Sequence, residues 1–262
     1  MFEFVTFSAE KLQTFLLVIL RTSGLFLLAP VFSHSSIPVL VKAGFAILMA
    51  ILLVPVASQA AFPQIVSVWQ LALFAAKELL IGVIIGLFFS LVFYAVRITG
   101  NVVGYQVGLF MANIFDPNSG SQFSLVSEIY YLLTLILFIA IDGHHAVISA
   151  LADSYKLIPV GVFNFSGGAG ELLIKFSAYV FTAAIKIGAP VIITLFITEV
   201  ALGVVARTVP QMNIFLVGIP LKIGVGLLVM ATSLPVFRYM IEQTIGYLDR
   251  EVLTVLYSIG TT

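Results

Sequence analysis

One apolar segment of this chain, Thr198 to Gly226, is interrupted too often to cross a lipid bilayer as a bare helix. A charged side chain at the centre of a membrane helix costs about 2.5–3.5 kcal/mol on insertion scales, and an interior proline costs about 3 kcal/mol. We therefore expect the segment to be covered by protein or to line a wet cavity. The interrupting residues, which we predict to be buried charges or assembly contacts, are Glu199, Arg207, Pro210, Gln211, Asn213, Pro220 and Lys222.

The composition places the whole chain in a membrane. Of its 262 residues 61% are hydrophobic and 9% are charged, whereas a soluble domain has roughly 25% charged residues. The apolar runs are long and lack the ~10-residue alternation of a transmembrane barrel, so we predict an all-α polytopic protein with broken helical hairpins. Net charge is zero and Cys is absent, which argues against a nucleic-acid partner, disulfides and thiolate metal sites.

Turn residues divide the apolar runs into predicted helices. The third helix would exceed a ~30 Å hydrocarbon core, so it must tilt, break or leave the membrane plane. Only about Ala43 to Ala57 and Leu79 to Val96 are uninterrupted lipid-facing spans; Arg21, Lys42 and Arg97 punctuate other runs. The predicted helices are about Glu10 to Leu28, Val39 to Ala57, Val66 to Gly108, Phe123 to Ile141, His144 to Leu157, Glu171 to Val205 and Gly218 to Ile241, with an amphipathic tail to Tyr257.

Two groups of polar residues suggest catalysis or metal binding. Asp142, His144 and His145 in IDGHH suggest a metal site or a proton relay. Adjacent helical residues do not share a face, so the imidazoles should diverge, and we favour a helix-breaking turn with interfacial histidines and no metal. Asp116 with Asp142 suggests an intramembrane aspartic protease, but Asp116 lies in Asp-Pro, a turn signature. With no phosphate loop, GxSxG or redox motif in the sequence, we expect no enzyme activity and no cofactor.

The block KELLIGVIIG places two adjacent charges, Lys77 and Glu78, before Gly82 and Gly86. Glycines four residues apart let a second helix approach closely. One interpretation is an ion-coupled site. The simpler one, which we favour, is a charge pair buried against partner helices.

A second series of glycines, Gly100, Gly104 and Gly108, precedes a bulky apolar loop. The breaker cluster Asn113 to Gln122 predicts that this loop is irregular. The pattern fits packing followed by a turn. It also fits a deformable channel constriction, because Met is pliable and apolar constrictions gate by excluding water. The gate residues would be Phe110, Met111, Phe115, Asp116 and Pro117.

Taken together, these residues resemble the flagellar FliR family, the R subunits of the type III secretion export gate. KELLIGVIIGLFF, GYQVGLFMANIFDP and DGHH match family blocks, and ALGVVARTVPQMNIFLVGIPLKI (Ala201 to Ile223) is the most specific match. The resemblance covers essentially the whole chain. It implies an inner-membrane component of the flagellar basal body that helps to form and close the channel through which unfolded flagellar subunits are exported.

The resemblance also implies partners and a division of the chain. One R subunit would complete a helical hetero-oligomer with FliP and FliQ subunits, followed by FlhB and FlhA. The chain would be a single export-gate domain, with a P-like part over about 1–185 and a Q-like helical hairpin over about 186–262. The interrupted segment from Thr198 to Gly226 would be the bend of this hairpin.

Site residues carry over from the family position by position. The plug loop would span about 104–122, with Phe110 and Phe115 projecting into the pore and Asp116-Pro117 setting the return of the loop. The resemblance implies assembly contacts at Arg207, Gln211, Asn213 and Lys222.

Two other functions stay open. A small-molecule or ion-coupled secondary transporter also has broken helices and midplane charges, but it should show an internal repeat. The halves Met1 to Gln122 and Phe123 to Thr262 place their charges and breakers differently. An injectisome (virulence) R subunit shares the fold and role of the flagellar one, and the sequence separates the two poorly.

Overall fold

The computed structural model describes residues 2–34, 36–58, 67–108, 124–162, 167–211 and 213–260, which form helices joined by turns. The described helices are α1 (Phe2–Leu28), α2 (Val39–Ala57), α3 (Val68–Val107), α4 (Leu125–Ala140), α5 (Gly143–Leu157), α6 (Gly167–Thr208), α7 (Ile214–Thr232) and α8 (Leu234–Gly260). By length and composition α1, α2, α3 and α6 can each cross a membrane, and α4 with α5 and α7 with α8 form bent pairs that qualify together. The predicted all-α polytopic membrane fold is confirmed.

The long third helix is unbroken. α3 has 40 residues, which at 1.5 Å per residue make about 60 Å, twice a ~30 Å hydrocarbon core. Within its apolar window 72% is buried inside the protein, so the prediction that Leu79 to Val96 faces lipid is wrong. A helix that is apolar all round is equally suited to a core, and here other helices cover it. The apolar window of α2 is only 17% buried, as expected of a lipid-facing helix.

The last predicted helix is wrong at one point, because it breaks at Ser233 and continues as a separate helix. α7 and α8 meet there at 59°. Pro235 explains the break, since its ring clashes with a helical carbonyl four residues earlier but fits the first turn of a new helix. Backbone hydrogen bonds between residues four apart continue across the bend. They run from Ser233 N to Val229 O (2.8 Å) and from Phe237 N to Ser233 O (2.9 Å).

The chain forms two compact units, neither of which is one continuous stretch of sequence. Unit 1 consists of Met1–Leu91, Asp142–Ser177 and Ile245–Thr262. Its core is aliphatic and aromatic, and Phe88 packs edge-on against Phe176 with ring centroids 4.9 Å apart.

Unit 2 consists of Val92–Ile141 and Ala178–Thr244. Aromatic contacts again hold its helices together. Phe93 packs edge-on against Phe138 at 5.6 Å, and Tyr130 stacks on Phe237 at 5.0 Å.

Candidate functional site

Two charges of unit 1 that interrupt apolar helices form a buried ion pair. The side chains of Arg21 (α1) and Glu78 (α3) are both 0% exposed, and Arg21 Nε lies 2.6 Å from Glu78 Oε2. Arg21 Nη2 donates to Glu78 Oε1 at 3.2 Å, so the contact is bidentate. The guanidinium also lies over the Tyr155 ring, 4.2 Å from its centroid. The pair therefore compensates two charges that lipid would not accept.

The other polar atoms of this ion pair also have partners. Arg21 Nη1 donates to Ser154 Oγ at 3.0 Å, and Nη2 donates to the carbonyl of Ile158 at 3.1 Å. The backbone N–H of Gly161 donates to Glu78 Oε1 at 2.8 Å. The network joins α1 and α3 to α5 and to the turn that follows α5.

Lys77 does not share the environment of Glu78. Its side chain is half-buried, and Nζ lies 5.8 Å from the centroid of the Phe74 ring. Because neighbouring helical residues face different directions, the two adjacent charges separate, and the carboxylate takes Arg21 as its partner.

Glycines bring α1 and α3 together around the ion pair. A Cβ at Gly82 would overlap the carbonyl oxygen of Arg21, and one at Gly86 would lie 2.7 Å from the carbonyl oxygen of Leu25. Gly24 makes room from the other side, since its Cβ would overlap the backbone of α3 at Leu79. The two helices thus pack backbone to backbone, as closely spaced small residues permit.

The second glycine series does the same in unit 2 and then ends its helix. A Cβ at Gly100 would overlap the backbone of Ser127, and one at Gly104 would overlap the side chain of Ser124, so α3 and the start of α4 approach closely. Gly108 has φ +90°, a backbone that favours glycine and terminates helices. The predicted gate residues lie outside the described residues: Phe110, Met111, Phe115, Asp116 and Pro117.

The C-terminal half of α6 and α7 form an antiparallel hairpin in unit 2. Lys222 Nζ lies 2.9 Å from Glu199 Oε1, and a Cβ at Gly226 would lie 3.6 Å from Leu195 Cδ2. From the first contact to the second, the residue on α6 moves four positions earlier in the chain and the residue on α7 moves four positions later. This is the register of two antiparallel helices. Two of the charges that interrupt the segment Thr198 to Gly226 therefore compensate each other. The side chain of Glu199 is 61% exposed and that of Lys222 is 20% exposed.

The turn of this hairpin presents polar residues at the surface. α6 ends at Thr208 and α7 begins at Ile214. Asn213 Oδ1 accepts a bond from the N–H of Leu216 at 3.4 Å, as an N-cap residue does. The predicted contact residues that are exposed at the end of α6, in the turn and on α7 are Arg207, Pro210, Gln211, Asn213 and Pro220.

Three polar side chains converge at the break between α4 and α5. Asp142 has φ 58°, a left-handed conformation that Asp tolerates. His145 Nδ1 lies 3.3 Å from Asp142 Oδ1, and the rings of His144 and His145 are 4.2 Å apart. The predicted divergence of the two imidazoles is wrong. Asp142 immediately precedes α5, and both rings lie within reach of its carboxylate.

Comparison with known proteins identifies the family. The family described as Bacterial export proteins, family 1 matches residues 12–248. The chain belongs to this family. A family 1 relative of Bacillus subtilis (strain 168), named Flagellar biosynthetic protein FliR, is 31% identical over 257 residues, which cover 97% of this chain and 98% of the relative. Proteins of the same name from Escherichia coli (strain K12) and Aquifex aeolicus (strain VF5) are each 32% identical over 86% and 87% of this chain.

Membership in bacterial export family 1 confirms the resemblance seen in the sequence blocks. The matched range contains the Arg21–Glu78 network and the α6–α7 hairpin. The alignments run over most of both chains, so they do not depend on one block.

Sequence reasoning did not foresee the importance of Arg21 in this family 1 protein. Arg21 was one of several charges in apolar runs, and no partner was assigned to it. A usable signal was present, because ionisable residues within membrane helices pair with one another. Choosing Glu78 as the partner also required knowing that Gly24 and Gly82 bring α1 and α3 into contact.

Proposed function

We propose that this chain is a non-enzymatic, membrane-embedded component of the flagellar protein-export apparatus and forms part of the wall of its channel. The observation that carries the proposal is the end-to-end similarity to proteins named Flagellar biosynthetic protein FliR. Their flagellar names favour the flagellar system over an injectisome. Bent helices and buried charges also occur in secondary transporters, but the alignments with the flagellar proteins run over most of the chain.

The surface of α6 supports a place inside an assembly. Only 17% of its apolar window is buried. Lys186 and Arg207 are exposed on the same helix. Lipid suits the apolar side chains but not these charges, whereas a neighbouring subunit can cover both. Large apolar side chains of α6 that are 57–66% exposed are Phe181, Ile185, Ile193, Phe196, Ile197 and Val204.

In this proposal the neighbours are subunits of the FliP and FliQ type, with FlhB and FlhA beyond them, in the bacterial inner membrane. The Q-like part, over about 186–262, contains the α6–α7 hairpin, whose exposed turn docks against a neighbour. Within the P-like part, about 1–185, the Arg21–Glu78 network joins α1, α3 and α5. The antiparallel register of α6 and α7 supports the hairpin, and the surface position of Arg207 and Gln211 supports docking of its turn.

Channel closure is assigned to the loop that follows Gly108. Phe110, Met111 and Phe115 supply bulky apolar side chains, and apolar constrictions exclude water and ions. The loop departs from the end of α3, which close packing at Gly100 and Gly104 fixes to α4. The mechanism is therefore steric, and an exported chain would displace the seal.

Co-purification tests this function. The full chain, carrying an affinity tag, is co-expressed with the FliP- and FliQ-type proteins of the same bacterium and extracted in detergent. We expect all three proteins in one large complex, and loss of swimming when the gene is deleted. A tagged chain that leaves co-expressing cells as a stable monomer would contradict the proposal. Stabilisation of that monomer by a small solute would favour the transporter instead.

A further inference from the structure

The break between α4 and α5 carries polar side chains to which the proposed export function assigns no role. We propose that Asp142, His144 and His145 form a binding site for one divalent transition-metal ion. Each residue offers one ligand atom, and these atoms lie within 4.8 Å of one another. None of the three residues belongs to the sequence of the hairpin or of the plug loop.

The distance between Asp142 and His145 already suits a small ion. Zn²⁺ binds His nitrogen and carboxylate oxygen at about 2.0–2.2 Å, which places the ligand atoms of a tetrahedral site about 3.4 Å apart. Asp142 Oδ1 and His145 Nδ1 are already 3.3 Å apart. Their side chains are 71% and 69% exposed, so they can rotate to admit the ion and bring the third ligand in.

His144 provides a second, independent observation. Its Nδ1 is shielded from solvent and has no hydrogen-bond partner among the residues that the structure describes. A buried polar atom without a partner costs about 1–3 kcal/mol. A metal ion ligated by this nitrogen would remove that cost.

The ligand set selects the class of ion. Two imidazoles and one carboxylate suit Zn²⁺, Ni²⁺, Cu²⁺ or Fe²⁺, whereas Mg²⁺ and Ca²⁺ prefer oxygen ligands throughout. Three protein ligands leave a position open to water. The bound ion would tie the left-handed Asp142 to the first turn of α5 and so restrain the turn between α4 and α5.

Metal titration of the purified full chain tests the site. The chain has three His and no Cys, so few other groups compete for the ion. The affinity tag must contain no histidine, and bound metal is first removed with EDTA. Isothermal titration with Zn²⁺, and separately with Ni²⁺, should show one ion per chain.

Matched variants assign the ligands. His144→Gln or His145→Gln should weaken binding by more than about tenfold. Loss of a residue that only hydrogen-bonds to a metal ligand already weakens binding by about tenfold or more, and loss of a ligand should have a larger effect. Asp142→Asn keeps a residue that tolerates the left-handed turn but removes the carboxylate, so it should also weaken binding. His34→Gln is the control and should bind as the unaltered chain does, with circular dichroism verifying the helix content of every variant.

Three results would overturn the proposal. The first is that the unaltered chain binds neither Zn²⁺ nor Ni²⁺. The second is that the His144→Gln/His145→Gln double variant binds as tightly as the unaltered chain. The third is that His34→Gln weakens binding as much as His144→Gln or His145→Gln does. In each case the residues are interfacial histidines at a turn. The subunit co-purification is read separately, so this site and the export function can fail independently.

Discussion

Arg21 of α1 and Glu78 of α3 form a bidentate ion pair whose side chains are both 0% exposed. Both carboxylate oxygens and all three guanidinium nitrogens have hydrogen-bond partners. A buried pair contributes little net stability when it is intact, but loss of one partner strands the other charge in an apolar core. The pair therefore specifies how α1, α3 and α5 fit together.

Glu78→Gln should destabilise the chain by about 3–5 kcal/mol, because Arg21 keeps its charge without a counter-ion. The double variant Arg21→Met/Glu78→Met should lose less than Glu78→Gln alone, since no charge is left unpaired. Thermal unfolding of the purified protein measures both effects. Lys77→Gln is the control, because the neighbouring Lys77 is half-buried and lies outside the network. Equal unfolding midpoints for Glu78→Gln and Lys77→Gln would contradict this account.

The features that the sequence predicted correctly are those that depend on neighbouring residues in the chain. The helices and the turn after Thr208 follow from apolar runs, Pro210 and Asn213, and the structure contains them. Pro235 is an equally local signal, and it breaks the last predicted helix.

Contacts between residues far apart in the chain could not be predicted from such local signals. Arg21 and Glu78 are 57 residues apart, and no periodicity links them. The sequence instead showed Glu78 beside Lys77, a neighbour on a different helix face. Asp142 approaches His144 and His145 from a left-handed backbone position, which helical periodicity does not predict.

Gly82→Ala should destabilise unit 1 by about 1–3 kcal/mol, the usual effect of overpacking. The new methyl group would overlap the carbonyl oxygen of Arg21 and push α1 away from α3. Gly44→Ala is the matched control, because a Cβ at Gly44 in α2 meets nothing within 4 Å. Both changes gain the same helix propensity, up to about 1 kcal/mol, so Gly44→Ala should raise the unfolding midpoint. Midpoints that move in the same direction would show that the close α1–α3 contact is not needed.

Arg207→Leu should reduce recovery of the complex with FliP- and FliQ-type subunits without lowering the amount of the chain in the membrane. Arg207 is exposed at the end of α6, where leucine favours insertion but offers no charge to a neighbour. Lys156→Leu is the control, since Lys156 is a 68% exposed charge in the other unit. Complex recovery and membrane content are both measured by immunoblot. Full recovery with Arg207→Leu would remove this residue from the assembly surface.

The ion pair of the hairpin can be tested by reversal. Lys222→Leu should lower complex recovery, whereas it should change the stability of the chain by only about 1 kcal/mol or less, because Glu199 is mostly exposed. The double variant Glu199→Lys/Lys222→Glu keeps an ion pair within the hairpin but reverses both charges. If the two residues serve only each other, the double variant assembles normally. We expect it to remain defective, because the resemblance assigns Lys222 to an assembly contact, and normal assembly would refute that assignment.

Replacing Phe110 and Phe115 together by glycine should make the closed channel leaky to small ions while the complex still assembles. The two rings are the bulkiest apolar side chains assigned to the plug, and without them water can enter the constriction. Phe110→Leu/Phe115→Leu is the matched control, because leucine keeps an apolar side chain at both positions and should keep the channel tight. Ion flux through liposomes containing the purified complex measures the leak, and gel filtration of the same sample verifies assembly. A glycine variant that assembles fully and stays as tight as the leucine variant would place the seal elsewhere in the complex.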